Sequence, residues 1–172
     1  MKRLLSVALV VLMLLTALCS CSFLGSIERE FKFDELSITM TAGHFSHDSE
    51  EEEGYKSWSY VSSEGDGVIV EKLEREYCDE ELAGYTAAQM AAFFAEDSGV
   101  SATTKEGLPF YTYDVFDDEE NEDYSYDCYV YESDEAFYIV TFCCDSKDHE
   151  RFDSKFIKMA KSVKFAEADT EE

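Results

Sequence analysis

Positive charge is scarce in this sequence: 14 Lys and Arg face 39 Asp and Glu over 172 residues, a formal net charge of −25. Such a surface repels nucleic-acid phosphates and anionic headgroups alike, so no nucleic acid is expected as a partner. Histidine is just as sparse. Only His44, His47 and His149 occur, and none stands near a Ser or Cys in the setting that acyl transfer needs. No Cys-x-x-Cys pair and no zinc-ligand spacing is present, which leaves thiol redox chemistry and a structural zinc site without support. No internal repeat and no catalytic signature is evident, so the chain is expected not to be an enzyme. The one long apolar run, from Leu4 to Leu18, falls short of the roughly 20 residues a membrane-spanning helix requires.

That run has the flanks of an export signal. Met1, Lys2 and Arg3 form a positive start, and Cys19, Ser20 and Cys21 form a short polar end. Leu18-Cys19-Ser20-Cys21 resembles the lipobox of bacterial lipoprotein precursors, with Leu at −3, a small residue at −1 and Cys at +1. Cys19 fits less well, because bulky Leu18 would then occupy −1. The resemblance implies cleavage between Ser20 and Cys21 and a thioether-linked diacylglycerol on the Cys21 sulfur. Two acyl chains hold a membrane durably where one binds only marginally. The expected location is the extracytoplasmic face of the cell membrane, with membrane lipid engaged through the anchor and a cell-envelope protein or wall polymer as a further partner. Losing Lys2 and Arg3 leaves 12 basic against 39 acidic side chains, a net charge of −27, so lipid rather than charge must retain the body there.

Four segments are expected: a signal over 1–20, a lipidated tether over 21–30, an α+β domain over 31–165 and an acidic tail over 166–172. Thirteen Phe, eleven Tyr and Trp58 supply a core, so the low-hydrophobicity half of the disorder signature is absent. Residues 30–41 read as strands bending at Asp34-Glu35, and 43–54 as a polar loop. Strands at 57–62 and 67–74 flank Glu64-Gly65-Asp66-Gly67, whose Asp-Gly step signals a hairpin. Thr86 and Gln89 have capping-box spacing, with Tyr85 placed to staple onto Met90, and Ser98-Gly99 ends that helix. Residues 110–116, 124–132 and 136–144 are strand-like by aromatic and β-branched content. In the middle one Tyr126, Cys128 and Val130 alternate with Tyr129 and Tyr131, so both faces of the sheet are expected to be largely covered by helices. A last helix runs from about 146 to 162, with Phe152, Phe156, Met159 and Ala160 on one side, and 163–165 closes as a strand.

With that order of elements, Gly107-Leu108-Pro109-Phe110, Tyr129-Val130-Tyr131, Ala136-Phe137-Tyr138-Ile139-Val140 and residues 156–165 give the chain its likeness to a known family. Over residues 31–165 it resembles the PsbP-like α/β/α sandwich, in particular small lipoproteins of clostridia and their relatives. The resemblance implies an α+β fold in which a single antiparallel β-sheet meander packs between helices. It also implies a non-catalytic binding or accessory module, since most members lack an assigned activity and known relatives act as binding or assembly subunits. The alternative is a small-molecule or divalent-cation (Ca²⁺) binding protein that uses the acidic loops and the tyrosines of the meander.

Candidate sites each have a plainer counterpart. Cys78, Cys128, Cys143 and Cys144 would lie in a compartment where disulfides form. A tight turn at 133–135 would set Cys128 opposite a residue around 139–141, leaving Cys143 two positions out of register for bonding. A bond to Cys78 stays open, and buried free thiols are the plainer reading. His44 and His47, before Asp48 and the run Glu50 to Glu53, could hold a transition metal or simply be solvated. Asp117, Glu119, Asn121 and Asp123 offer oxygens for weak Ca²⁺ association, without the glycine or the distal glutamate of an EF-hand loop; no other cofactor or metal is expected. Lys147, Arg151, Lys155, Lys158 and Lys161 share one third of the helix circumference, opposite Phe152, Phe156 and Met159. They form a docking stripe for anionic groups, or a solvated face that offsets the acidic body.

Overall fold

The computed structural model describes residues 27–41, 43–118 and 120–166. Strand β1 (Glu28–Phe33) turns at Asp34, which has a φ of +54°, and pairs along its length with β2 (Leu36–Thr41). This pairing takes residues 28–30 out of the expected tether. Leu36, Ile38 and Met40 alternate inward and are fully buried.

The remaining longer strands are β3 (His44–Glu52), β4 (Tyr55–Ser62), β5 (Asp66–Glu74), β6 (Thr103–Lys105), β7 (Leu108–Asp117), β8 (Glu122–Glu132) and β9 (Ala136–Asp145). They form one antiparallel sheet in the order β3-β4-β5-β9-β8-β7-β6. Strand β10 (Lys164–Phe165) instead joins β2, giving a second sheet, β1-β2-β10. The expectation of a single sheet is thereby corrected. The β1–β2 hairpin lies over the face of the large sheet because its aromatic residues have partners there: Phe31 and Phe33 pack edge-on against Tyr60, and Phe33 also meets Trp58.

The expected polar loop at 43–54 is also corrected, since most of it is strand β3. As an edge strand wet on both faces it carries no alternation for a sequence reading to find. Asp48, Glu50, Glu51 and Glu52 charge this edge and discourage pairing with another copy.

Among the described residues three α-helices complete the fold: α1 (Glu80–Ala83), α2 (Ala87–Asp97) and α3 (His149–Lys161). The capping box of α2 forms as expected, with the Gln89 amide N–H donating to Thr86 Oγ1 at 3.3 Å and the Thr86 amide N–H to Gln89 Oε1 at 2.9 Å. Phe152, Phe156 and Met159 of α3 join Leu36, Ile38 and Met40 against Val68, Val70, Tyr138, Val140 and Phe142 on one face of the large sheet. On the other face Met90, Ala91 and Ala95 of α2 pack on Tyr111, Cys128, Val130, Phe137 and Ile139. One face is thus covered by a sheet and a helix together, the other by α2 over β7 and β8.

Arg75 sets where α2 starts. Its guanidinium donates to the carbonyls of Ala83, Tyr85 and Ser133 at 2.7, 3.0 and 3.1 Å, and lies 3.8 Å over the Phe137 ring. Glu132, which pairs with Arg75 at 3.1 Å, also accepts the Ala87 amide at the helix start. The segment before α2 is so clamped to the β8–β9 hairpin.

Gly67 of β5 stands directly opposite Cys143, and a Cβ placed there would fall 2.6 Å from the Cys143 sulfur. Gly67→Ala is expected to cost about 1–3 kcal/mol by overpacking. Adding Cys143→Ala should recover most of that loss, and thermal melts of both single variants and the double variant check it. Strictly additive losses would overturn this account of the glycine.

Candidate functional site

Direct pairing places Phe45, Val61, Gly67, Cys143, Tyr126 and Tyr113 in one row across the six strands β3, β4, β5, β9, β8 and β7, all on the α2 face. At the usual strand spacing the row is roughly 24 Å long. Phe45 is 57% exposed, and Val61, Cys143, Tyr126 and Tyr113 are half-buried. Tyr113 and Tyr126 stack on each other, centroids 5.1 Å apart and rings 6° from parallel. Helix α2 covers this face mainly over β7 and β8, so the row emerges from beneath it towards β3.

The next rows change character along the same direction. Asp48, Ser59 and Ile69 lead to buried Thr141 and Cys128, and Glu50, Ser57 and Glu71 lead to Ile139 and Val130. Polarity therefore rises away from α2 and ends in the carboxylates of β3. Burial, with the Asp66 charge nearby, pushes the Cys143 thiol up to about 11, and burial pushes the Tyr113 phenol up to about 12. Both stay protonated at neutral pH. The row is uncharged, and its thiol behaves as a small apolar group.

Two polar nodes hold α3 to the large sheet. In the first, buried His44 places Nε2 2.9 Å from Asp66 Oδ2 and Nδ1 2.8 Å from Thr41 Oγ1. Asp66 also accepts from the Ser62 hydroxyl and, at 2.9 Å, from the Lys155 ammonium. Burial pushes the Asp66 carboxyl up, but hydrogen bonds from His44, Ser62 and Lys155 outweigh it and hold that carboxyl well below the usual range. In the second node Lys105 bridges fully buried Asp127 at 2.9 Å and Asp153 at 2.6 Å, while His149 Nε2 lies 3.1 Å from the other Asp127 oxygen. A buried charge is tolerable only with such partners.

Sequence reasoning assigned Asp66 to a turn and gave Asp127 no role. The signal for Asp127 was available: a lone carboxylate interrupts a strand that is apolar on both alternating sets. Lys155 was read as facing outward, yet its ammonium turns inward to Asp66 at 2.9 Å and lies 5.4 Å from the centroid of the Phe152 ring.

The other expected positions distribute as follows. Ser20, Cys21 and Glu119 lie outside the described residues. Asp117 and Asp123 sit on opposite strands at the β7–β8 tip, where Asp117 Oδ1 accepts the Glu120 amide and Asn121 adopts a φ of +56°. Each residue of the basic stripe meets the chain's own acids: Lys147 with Glu122 and Asp145, Arg151 with Asp148, Lys155 with Glu64 and Asp66, Lys158 with Glu28, and Lys161 with Glu106. His44 turns in to Asp66, while His47 occupies a bulge in β3 and is exposed. Cys128 stands opposite Thr141 and Cys143 opposite Tyr126, the register expected from the turn. Among the described residues no group of three or more His, Cys, Asp or Glu is arranged to hold a metal, and no helix is long and apolar enough to cross a membrane.

No family model and no curated protein matches the chain. Among solved structures it is similar to one from Bacteroides thetaiotaomicron, with a TM-score of 0.54 and 9% identity over 83% of this chain. The chain spans half the length of that structure. It is also similar to the Ran-binding protein Mog1p of Saccharomyces cerevisiae, with a TM-score of 0.49 and 11% identity over 82% of this chain and 96% of that one. Cyanobacterial PsbP (CyanoP) from Synechocystis sp. PCC 6803 gives 0.48 and 14% over 80% of this chain and 92% of that one. At such identities the likeness is one of fold: the protein is an α+β domain dominated by antiparallel strands in two sheets.

Proposed function

We propose that this protein is an extracytoplasmic lipoprotein of the cell membrane, anchored by a diacylglyceryl group on Cys21, whose PsbP-like domain is a non-catalytic binding or accessory module. The anchor rests on the apolar run from Leu4 to Leu18 and the Leu18-Cys19-Ser20-Cys21 sequence that ends it. The binding role rests on one observation, the uncharged row from Phe45 to Tyr113 that α2 leaves partly open. Apolar surface left open in a contiguous strip is a common mark of an interaction site.

The anchor is tested in the native cell. Cys21→Ala, with residues 1–20 exchanged for an ordinary cleavable export signal, is expected to leave the membrane fraction almost entirely and to lose labelling by an alkyne fatty acid. A body of net charge −27 has no electrostatic reason to remain on an anionic surface. A Cys21→Ala protein that stayed with the membrane would overturn the proposal.

A further inference from the structure

The open row has a definite polarity, and its surroundings select what can cover it. Along the row Phe45, Val61 and Cys143 offer apolar contact, Gly67 keeps the middle flat, and Ile69 extends the apolar patch one row further. Asp48, Glu50 and Glu71 border that patch on the same face. Glu71 already accepts the Tyr55 hydroxyl at 2.9 Å, which leaves its second oxygen for another donor. The bordering charge is all of one sign, and the whole chain carries the same sign.

A second copy would bring carboxylates against carboxylates, and anionic lipid would be repelled likewise. We propose that this face docks a cationic amphipathic segment of a partner protein, its apolar side on Phe45, Val61, Ile69 and Cys143 and its Lys or Arg side chains on Asp48, Glu50 and Glu71. The inference rests on the binding-module reading above and deepens it by naming the partner's chemistry. The segment would lie beside α2 and complete the cover of the large sheet, as the β1–β2 hairpin and α3 together do on the opposite face.

The probe is a synthetic amphipathic Leu/Lys peptide, titrated by calorimetry into the full chain held in detergent, with an oligolysine of equal charge as the comparison. Saturable binding of the amphipathic peptide is expected, with affinity falling as salt rises from about 0.05 to about 0.5 M. Phe45→Ser should weaken it about tenfold, and Phe45→Ser with Ile69→Ser further still. Phe45 is more than half exposed, so that first variant keeps its melting point and its result reads binding alone. Asp48→Asn with Glu50→Gln should flatten the salt dependence. Neutralising two carboxylates on the opposite layer, Glu30→Gln with Glu150→Gln, should change little.

Equal binding of oligolysine, or equal losses from the two pairs of neutralised carboxylates, would mean undirected attraction and overturn the proposal. So would sedimentation showing that Phe45→Ser dissolves a dimer, or chitooligosaccharide binding lost in the same variant. None of these outcomes bears on whether Cys21→Ala leaves the membrane, so failure of the named partner is distinguishable from failure of the lipoprotein reading.

Discussion

Asp66→Ala is expected to lower the stability of the domain by about 3–5 kcal/mol, the usual loss when one member of a buried charged group is removed and its partners stay. The partners here are the ammonium of Lys155, whose side chain is only 20% exposed, and the His44 imidazole, fully enclosed. Ser62 loses its acceptor as well. For a domain of this size that is a fall of about 10–15 °C in the melting temperature, read by near-ultraviolet circular dichroism. A fall of only a degree or two would show that the node contributes little and that packing alone holds α3.

The same carboxylate sets a sign for pH. Its folded pKa is depressed, so the stability it contributes is fully present above the unfolded value near 3.9 and is lost as pH falls towards the folded one. The advantage of the wild type over Asp66→Asn should therefore be full at neutral pH and shrink only below about pH 4. Partial protonation of the acidic surface acts in the opposite direction, because it relieves self-repulsion in a body carrying 39 carboxylates. Stability is expected to rise on mild acidification and then to collapse, with Asp66 contributing to the collapse.

How far the sequence foretold this molecule depends on whether a residue's role was local. The capping box at Thr86 and Gln89 appears as read, because it involves residues three apart and needs nothing else. The register of Cys128 and Cys143 followed from the length of one turn. The inward side of α3 followed from spacing alone. Strand β3 did not, because an edge strand wet on both faces has no period to detect. The second sheet did not either: nothing in residues 28–41 says whether a short hairpin adds to a sheet's edge or lies over its face. That choice belongs to Trp58 and Tyr60, some twenty residues away.

The candidate face was illegible for a related reason. Its row draws one residue from each of six strands, and only Tyr113, Tyr126 and Cys143 belong to the meander that had been recognised. Phe45 fell in the stretch read as loop. The basic stripe shows the reverse case, a pattern visible in sequence whose surroundings are not. Each of its five cations meets an acid from another part of the chain or from its own helix start. Apart from the buried Lys155–Asp66 pair, these are exposed pairs that contribute about 0–1 kcal/mol apiece, so their collective weight lies in neutralising the helix face.

Phe156→Ala is expected to cost about 3–5 kcal/mol, comparable to the loss of Asp66 and for a different reason. Phe156 is fully buried between two other rings, with centroids 5.2 Å from Phe142 of β9 and 5.7 Å from Phe152 one turn earlier on α3. Both pairs are close to parallel, at 15° and 12°, so the three rings form a stack that joins the helix to the centre of the large sheet. Truncation removes the ring's transfer energy and leaves a cavity that the stacked neighbours cannot close without tilting. Phe93 on α2 is the matched comparison, since it lies in a helix as well but is 43% exposed and, among the described residues, touches the ring of Phe94 alone. Phe93→Ala should change stability by only about 0.5 kcal/mol. Urea denaturation of the two variants separates the cases, with an unchanged slope and a midpoint displaced only in Phe156→Ala. Equal midpoints would mean that α3 is held by its ion pairs and the Asp66 and Asp127 nodes, and that its apolar stripe is incidental.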